Sequence, residues 1–462
     1  MRIISKSNSD SYTLPSFCTN FIERFGINKL LRNVNATKEK GVAACELFAY
    51  LMGLVFSGKN LYTVLEICKS EIGFKKDTVY RFLNKCSTHW EKLIQRLSYA
   101  VIPEVDKLTT DNRKTALILD DSPYYRDRSK RVEMLSRCYD HVKQTFYKGL
   151  TLLTLGWSDG QTFIPVDYRL LASSNDKNLL EGSRVKEDNR TLATKRRKDA
   201  RKGKPALVLE MLKSVIGTPA QAKYVLFDSW FSSPSSLLSV AKLGFHVVSR
   251  LKNHKNYLYT FNRKNLSVGQ IYKTSKKRRG RSRYLLSVTI QIRHNGFPES
   301  IPAKLVFVRD RANRKNWIAF VSTDMSLTED EVIALYAKRW DIETYHKMIK
   351  SYLQLAKEFQ TRSFDAMVAH TAVVLTRYTL LSLENREKKD DRSFGELFYA
   401  CSKELDDISF EYAFFLLTDA VKDWLNDYFH IAASLIQTFV DDFIGDLPLC
   451  IKDRLAFNMC ES

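Results

Sequence analysis

The run Ala116-Leu117-Ile118-Leu119-Asp120-Asp121 constrains the fold more than any other stretch of the chain. Four apolar residues closed by two acids are too few for a buried helix and fit a short strand covered on both faces. Such a strand needs neighbouring strands and covering helices, and the sequence supplies both. Gly149 to Trp157 and Gln161 to Leu171 are strand-like runs separated by Ser158-Asp159-Gly160, a tight hairpin signal. Tyr224 to Phe227 is a further apolar strand, ending in Asp228. Leu207 to Ile216 and Pro234 to Leu243 are helix-like on either side of it, and Phe245 to Ser249 returns to strand. Strands first and then alternating helix and strand predict a mixed α/β sheet.

This α/β core, residues 111–250, has helical flanks. Residues 1–110 read as helical, with an apolar run from Ala43 to Phe56 and an amphipathic one from Thr78 to Ala100. The segment Lys76 to Arg81 could open a helix that reads DNA or an ordinary structural one. Residues 251–325 break the alternation with β-rich runs (Tyr284 to Ile292, Lys304 to Arg309, Trp317 to Ser322) and a basic cluster from Lys276 to Arg283, as expected of an inserted β-rich unit. A helix is expected within 326–355. Residues 356–462 are expected to be helical, with a polar break at Glu384 to Arg392.

A second basic stretch, Arg184 to Lys204, contains Lys195-Arg196-Arg197-Lys198, and the whole chain carries a formal charge of +21. That excess calls for a polyanionic partner, with DNA, RNA and anionic membrane all satisfying the charge. Membrane is disfavoured. No stretch approaches the roughly 20 apolar residues of a spanning helix; the nearest, Val373 to Leu383, contains Arg377, and Met1 to Pro15 lacks the apolar stretch of a signal peptide. The eight cysteines form no C-x-x-C pair, and Cys86 with His89 lacks a second pair to make a zinc site. They read as reduced thiols of a cytosolic protein.

The chemistry is expected to centre on Thr328 to Lys350. Thr328-Glu329-Asp330-Glu331 is a capping-box sequence, and neither Pro nor Gly follows for two dozen residues. On one continuous helix at about 100° per residue, Tyr336, Arg339, Glu343 and Lys350 fall within an arc of roughly 60°. The apolar stripe of Leu335, Ile342 and Ile349 lies beside this polar column, not opposite it. A solvated face with an Arg339–Glu343 ion pair is the plain alternative. Asp120 and Asp228, each closing an apolar strand, could be simple turn or cap residues. Taken together with Glu343 they make a candidate shared site. Three carboxylates in one pocket repel unless cations neutralise them, and hard oxygen donors suit Mg²⁺ or Mn²⁺. Two such ions can activate a water or 3′-hydroxyl and stabilise the leaving oxygen of a phosphodiester.

Tyr336-x2-Arg339-x3-Glu343-x6-Lys350 resembles the Y-R-E-K signature of the insertion-sequence-4 family of DDE transposases, and Leu335 to Glu343 looks like that family throughout. The resemblance covers about residues 110–355. It implies an RNase H-like core with a β-rich insertion between the second Asp and the Glu. It also implies a prokaryotic, nucleoid-associated enzyme that cuts and joins DNA with two Mg²⁺ (or Mn²⁺) ions, acting on terminal inverted repeats and target DNA. A homodimer would synapse two element ends. On this resemblance Asp120, Asp228 and Glu343 are the catalytic, metal-binding triad. Tyr336 and Arg339 contact DNA near the cleaved end, and Lys350 holds a backbone phosphate. Trp317 is the candidate for stacking on a flipped base, with a core role as its alternative. Asp121 remains an alternative to Asp120, and Trp230 stands where the family often has a small residue. A structure-specific nuclease of the same fold, or a non-catalytic DNA-binding protein derived from a transposase, are the other readings. An RNA-binding protein is more distant, since the chain has no glycine-and-aromatic motif of single-stranded RNA modules.

Overall fold

A computed structural model describes residues 16–58, 61, 74–109, 113–141, 143–186, 188–278, 282–310, 313, 316–359, 361–387, 394, 396–400, 402, 414, 417–422, 424–425, 433–448 and 451–452. Arg279 to Arg281, most of the polar break after residue 387, and Cys68, Cys401, Cys450 and Cys460 lie outside these residues. The described Cys18, Cys45, Cys86 and Cys138 are free thiols.

The apolar run at Ala116 forms β1 (Ala116–Tyr125), which continues through the two acids for the length of ten residues. It lies between β3 (Thr145–Ser158), antiparallel to it, and β5 (Tyr224–Phe227), parallel to it. β6 (His246–Leu251) is parallel to β5. The far edge of β3 takes two partners in succession, β2 (Ser136–Asp140) opposite residues 145–149 and β4 (Phe163–Leu171) opposite residues 151–158. The central order β4-β3-β1-β5-β6 is therefore an antiparallel meander whose first strand is joined by two parallel strands. This is a mixed α/β architecture with an RNase H-like core.

The hairpin expected at Ser158-Asp159-Gly160 is present. Gly160 has a φ of +88°, and the Asp159 carboxylate accepts the backbone N–H groups of Gln161 and Thr162 at 2.9 and 2.7 Å. The β-rich segment 251–325 adds strands to the same sheet. β7 (Leu258–Phe261), β8 (Lys264–Ser267), β9 (Leu286–Ile292), β10 (Ile301–Arg309) and β11 (Trp317–Ser322) extend it, and β11 pairs antiparallel with β6.

Helices cover the sheet. Ser16–Arg24, Ile27–Asn33, Ala44–Leu54, Lys76–Leu83 and Trp90–Lys107 make up the described N-terminal region. They share one apolar core with the sheet; Trp90–Lys107 packs on β4, and Gln95 donates to Asp167 of β4 at 2.9 Å. The basic run at Lys195 lies on the helix Leu192–Ala200, and half of it faces inward. Arg196 pairs with Glu91 at 3.0 Å and with Asp365, while Arg197 pairs with Glu133 at 2.7 Å and Asp365 at 2.7 Å. Those two guanidiniums link the N-terminal helices, the β1–β2 connection and the C-terminal region instead of facing a polyanion.

By sequence, no segment of the chain is apolar over the length of a membrane span. The structure corrects this: Phe364–Glu387 is a 24-residue helix apolar and long enough to cross a membrane by composition. It is buried throughout its apolar length, so protein surrounds it here. Its Arg377 is fully buried, with Nη1 and Nη2 on Glu358 at 2.8 and 2.9 Å. The same guanidinium donates to the carbonyls of Met52 (3.0 Å) and Leu51 in the N-terminal region. His370 meets Glu358 at 3.2 Å.

Candidate active site

Strand register brings the two aspartates together. β1 and β5 run parallel with Leu119 beside Phe227, so the next residues, Asp120 and Asp228, are lateral neighbours. Adjacent strands lie about 4.8 Å apart, and residues in register share a face. Across the antiparallel pair Asp120 is opposite Thr154. β6 continues the row, since Phe227 pairs with Ser249 and Arg250 follows; Arg250 in turn pairs with Phe320 of β11. Asp228 is half-buried and stands at the N-cap of the short 3₁₀ turn Ser229–Phe231, yet its side chain makes no capping hydrogen bond. Its carboxylate is therefore not consumed as a cap.

The same register separates Asp120 from Asp121. Successive strand residues point to opposite faces. Asp121 faces Lys204, whose Nζ lies 2.8 Å from its carboxylate and 4.6 Å from the ring centre of Trp230. Asp120 faces the helices that carry Glu343, with its Oδ2 3.7 Å from Arg339 Nη1.

Those helices differ from the single one expected. The capping box at Thr328 is formed, and starts Glu329–Ala337. A second helix, Trp340–Ser351, then begins after a joint at Lys338 and Arg339. At the joint, i→i+3 bonds replace the α-helical pattern: Lys338 N–H to Leu335 O at 3.2 Å, and Arg339 N–H to Tyr336 O at 3.0 Å. Lys338 is tethered to the β3–β4 hairpin, its Nζ donating to Asp159 O at 2.9 Å. A tertiary contact thus tightens a turn in a sequence free of helix breakers. Tyr336 ends on the first helix, Arg339 at the joint, and Glu343 and Lys350 on the second.

The four still face the sheet. Tyr336 packs on Phe320 with ring centres 4.6 Å apart, and Arg339 Cζ lies 5.7 Å from the Tyr336 ring centre. Arg339 Nη2 bonds Glu343 Oε1, so one guanidinium spans Glu343 and Asp120. Lys350 Nζ donates to Ser122, two residues beyond Asp120 on the same strand face. Tyr345 docks the second helix, its hydroxyl 3.5 Å from Thr154 Oγ1.

Electrostatics follow from crowding charge where water is scarce. Burial, with the adjacent Asp121 carboxylate and a contribution from Asp228, pushes the Asp120 carboxyl up to about 7, against the pull of Arg339. Burial lowers the Lys350 ammonium to about 8 and raises the Tyr336 phenol to about 12. Burial opposes charge on Arg339 too, but Tyr336, Glu343 and Asp120 outweigh it and raise its pKa.

His346, one turn beyond Glu343, is 7% exposed and held neutral, with its pKa lowered to about 3 by burial and then by Lys350 and Arg339. Neither ring nitrogen has a hydrogen-bond partner among the described residues. Replacing an unpaired buried polar group by an apolar one of like shape is neutral or stabilising. His346→Phe is therefore expected to leave equilibrium unfolding unchanged or to raise stability by up to about 1 kcal/mol. A loss larger than that in a denaturant titration would mean that the nitrogens are bonded.

Trp317 is not in this group. It is three residues before Phe320 and so on the opposite face of β11. There it stacks on Tyr272 at 4.9 Å and meets Phe307 edge-on at 5.1 Å. Arg250 is the residue that sequence reading missed; it is exposed, beside Asp228 in the row. Only the parallel register of β5 and β6 reveals it, and a count from the two apolar strands could have found it.

The donor set suits a hard divalent cation: two aspartates in lateral register and a glutamate held across from them. As arranged, no three His, Cys, Asp or Glu side chains among the described residues are close enough to cage an ion. The Arg339 guanidinium, itself a cation, spans Asp120 and Glu343 and stands in for that charge.

A comparison with curated proteins finds no match. A profile of the family described as "DDE superfamily endonuclease" matches residues 38–306, more than half of the chain, including Asp120 and Asp228 and ending before Glu343. Enzymes of this superfamily act on DNA and in general use divalent metal ions. With the matched segment containing the two neighbouring aspartates and most of the sheet that aligns them, the chain belongs to the DDE superfamily of endonucleases.

Proposed function

We propose that the protein is a transposase of the insertion-sequence-4 type, cutting the ends of a mobile DNA element and joining them to a new site by phosphoryl transfer. The observation that carries this reading is the lateral pairing of Asp120 and Asp228 beneath a helix whose Glu343 is tied to Asp120 through Arg339. Asp120, Asp228 and Glu343 would hold two Mg²⁺ or Mn²⁺ ions. When bound, such a pair activates the attacking oxygen and stabilises the leaving one.

The chain's own residues position the DNA. Arg339, freed from its carboxylates, and Tyr336 would contact the backbone beside the cut, and Lys350 would hold a neighbouring phosphate. Trp317 would join as a stacking platform only by leaving its contacts with Tyr272 and Phe307. Water is the first nucleophile and the freed 3′-hydroxyl the second, so no covalent enzyme intermediate is needed. Two element ends processed together would require two copies of the chain.

The test is a pair of assays on the purified protein in Mg²⁺. Duplexes carrying the element end should be nicked, and pre-cut ends should be joined to a target plasmid. Nicking without joining would make the protein a nuclease of the same fold. Binding without either would make it a non-catalytic DNA-binding protein. Short inverted repeats bordering the coding sequence would identify the end to use.

A further inference from the structure

We propose that a basic groove beyond the end of β1 is a second docking site for the phosphate backbone of the same DNA; this rests on the reading of the protein as a DNA-cutting enzyme. After Tyr125 the chain reads Arg126-Asp127-Arg128-Ser129-Lys130-Arg131. With Thr361 and Arg362 on the facing wall, this segment lines a groove of about 630 Å³. The two walls are bonded together, Glu133 N–H donating to Arg362 O at 2.9 Å. Arg126 is built into the wall, its guanidinium 5.3 Å from the Tyr124 ring centre and 3.4 Å from Phe359 O.

The neighbouring acids are already engaged. Glu133 is held by Arg197 at 2.7 Å, Asp365 by Arg196 and Arg197, and the Asp127 carboxylate accepts Lys148 N–H at 2.9 Å. Arg128, Lys130, Arg131 and Arg362 are exposed, and none has an ion pair with an acid among the described residues. Four like charges facing one concavity repel each other, and a polyanion relieves that repulsion.

The groove is also in line with the chemistry. Along one face of β1 come Asp120, then Ser122 holding Lys350, then Tyr124 beneath Arg126. Six residues at about 3.3 Å each put the groove roughly 20 Å from Asp120. That is the length of about six base-pair steps at roughly 3.4 Å. A duplex whose scissile phosphate lies at Asp120 would have its backbone over the groove about half a turn away.

The experiment uses the full chain and a fluorescent duplex of about 40 base pairs carrying the element end, titrated at several salt concentrations. Each lost phosphate contact lowers the slope of log K against log salt by about 0.9. The triple substitution R128A/K130A/R131A should lower it by about 2 to 3 and weaken binding at least about tenfold near physiological salt. R128K/R131K should retain most of the affinity. Melting temperature should not move, because exposed side chains without partners contribute little to stability. Unchanged affinity and slope in the triple variant would overturn the proposal. The two readings fail separately: a wild-type protein that binds but never cuts, with binding still lost in the triple variant, removes the enzyme and keeps the groove. A wild-type protein that cuts, with binding unmoved by the triple variant, removes the groove alone.

Discussion

Glu343→Gln protein is expected to bind element-end DNA with near wild-type affinity and to cut it at least about 10³-fold more slowly in Mg²⁺, about 4 kcal/mol in the barrier. The substitution keeps shape and removes one negative charge. In the DNA-free protein that charge is matched by Arg339. Losing it leaves Arg339 with Asp120 alone, so that guanidinium is less restrained than before. Binding and cutting should therefore separate. Asp120→Asn should behave alike, whereas Asp121→Asn should retain cutting, because Asp121 faces away and is neutralised by Lys204. Gel-shift and nicking assays on the same preparations read both quantities. Wild-type cutting by the Glu343 variant would remove that residue from the site, and loss of cutting only in the Asp121 variant would reverse the choice of aspartate.

Arg377→Leu is expected to destabilise the protein by about 3–5 kcal/mol, measured by denaturant unfolding. Arg377 is fully buried and bonds both oxygens of Glu358, itself 4% exposed. Burial opposes charge on Glu358, and Arg377 and then His370 overcome it, so its pKa is lowered. Without the guanidinium a carboxylate remains in the core with only a neutral-leaning imidazole beside it, since burial lowers the pKa of His370. The carbonyls of Leu51 and Met52 lose their donor as well. Removing both charges should be milder than removing one, because the penalty comes from the partner left behind. The double variant Arg377→Leu, Glu358→Gln should recover part of the loss. A single variant within about 1 kcal/mol of wild type would show that the core admits water at this point.

What the chain discloses on reading divides along the range of the interactions involved. The central strands, the Ser158-Asp159-Gly160 hairpin and the Thr328 capping box are legible because each is settled by residues within a few positions of one another. The candidate carboxylates are legible because Asp120 and Asp228 each follow a short apolar run and Glu343 stands at helical spacing from Arg339. The joint at Lys338 is not, since it answers to a hairpin nearly two hundred residues away. Charge runs mislead for the same reason: Lys195 to Lys198 looks like a surface patch, yet Arg196 and Arg197 find their acids at positions 91, 133 and 365. The apolar face that hides Phe364–Glu387 and the register that sets Arg250 beside Asp228 are likewise properties of the assembled sheet and its cover.

The hydrogen bonding of β11 to β6 limits how this chain can be shortened. Excising the segment that contains β7 to β11 would strip β6 of its outer partner and leave a row of unsatisfied backbone groups open to solvent. It would also take away Phe320, on which the Tyr336 ring rests. A trimmed descendant would have to cap that raw edge with charge, proline or another chain before the helix that carries Glu343 could settle, so loss of this region would favour aggregation over a smaller folded protein.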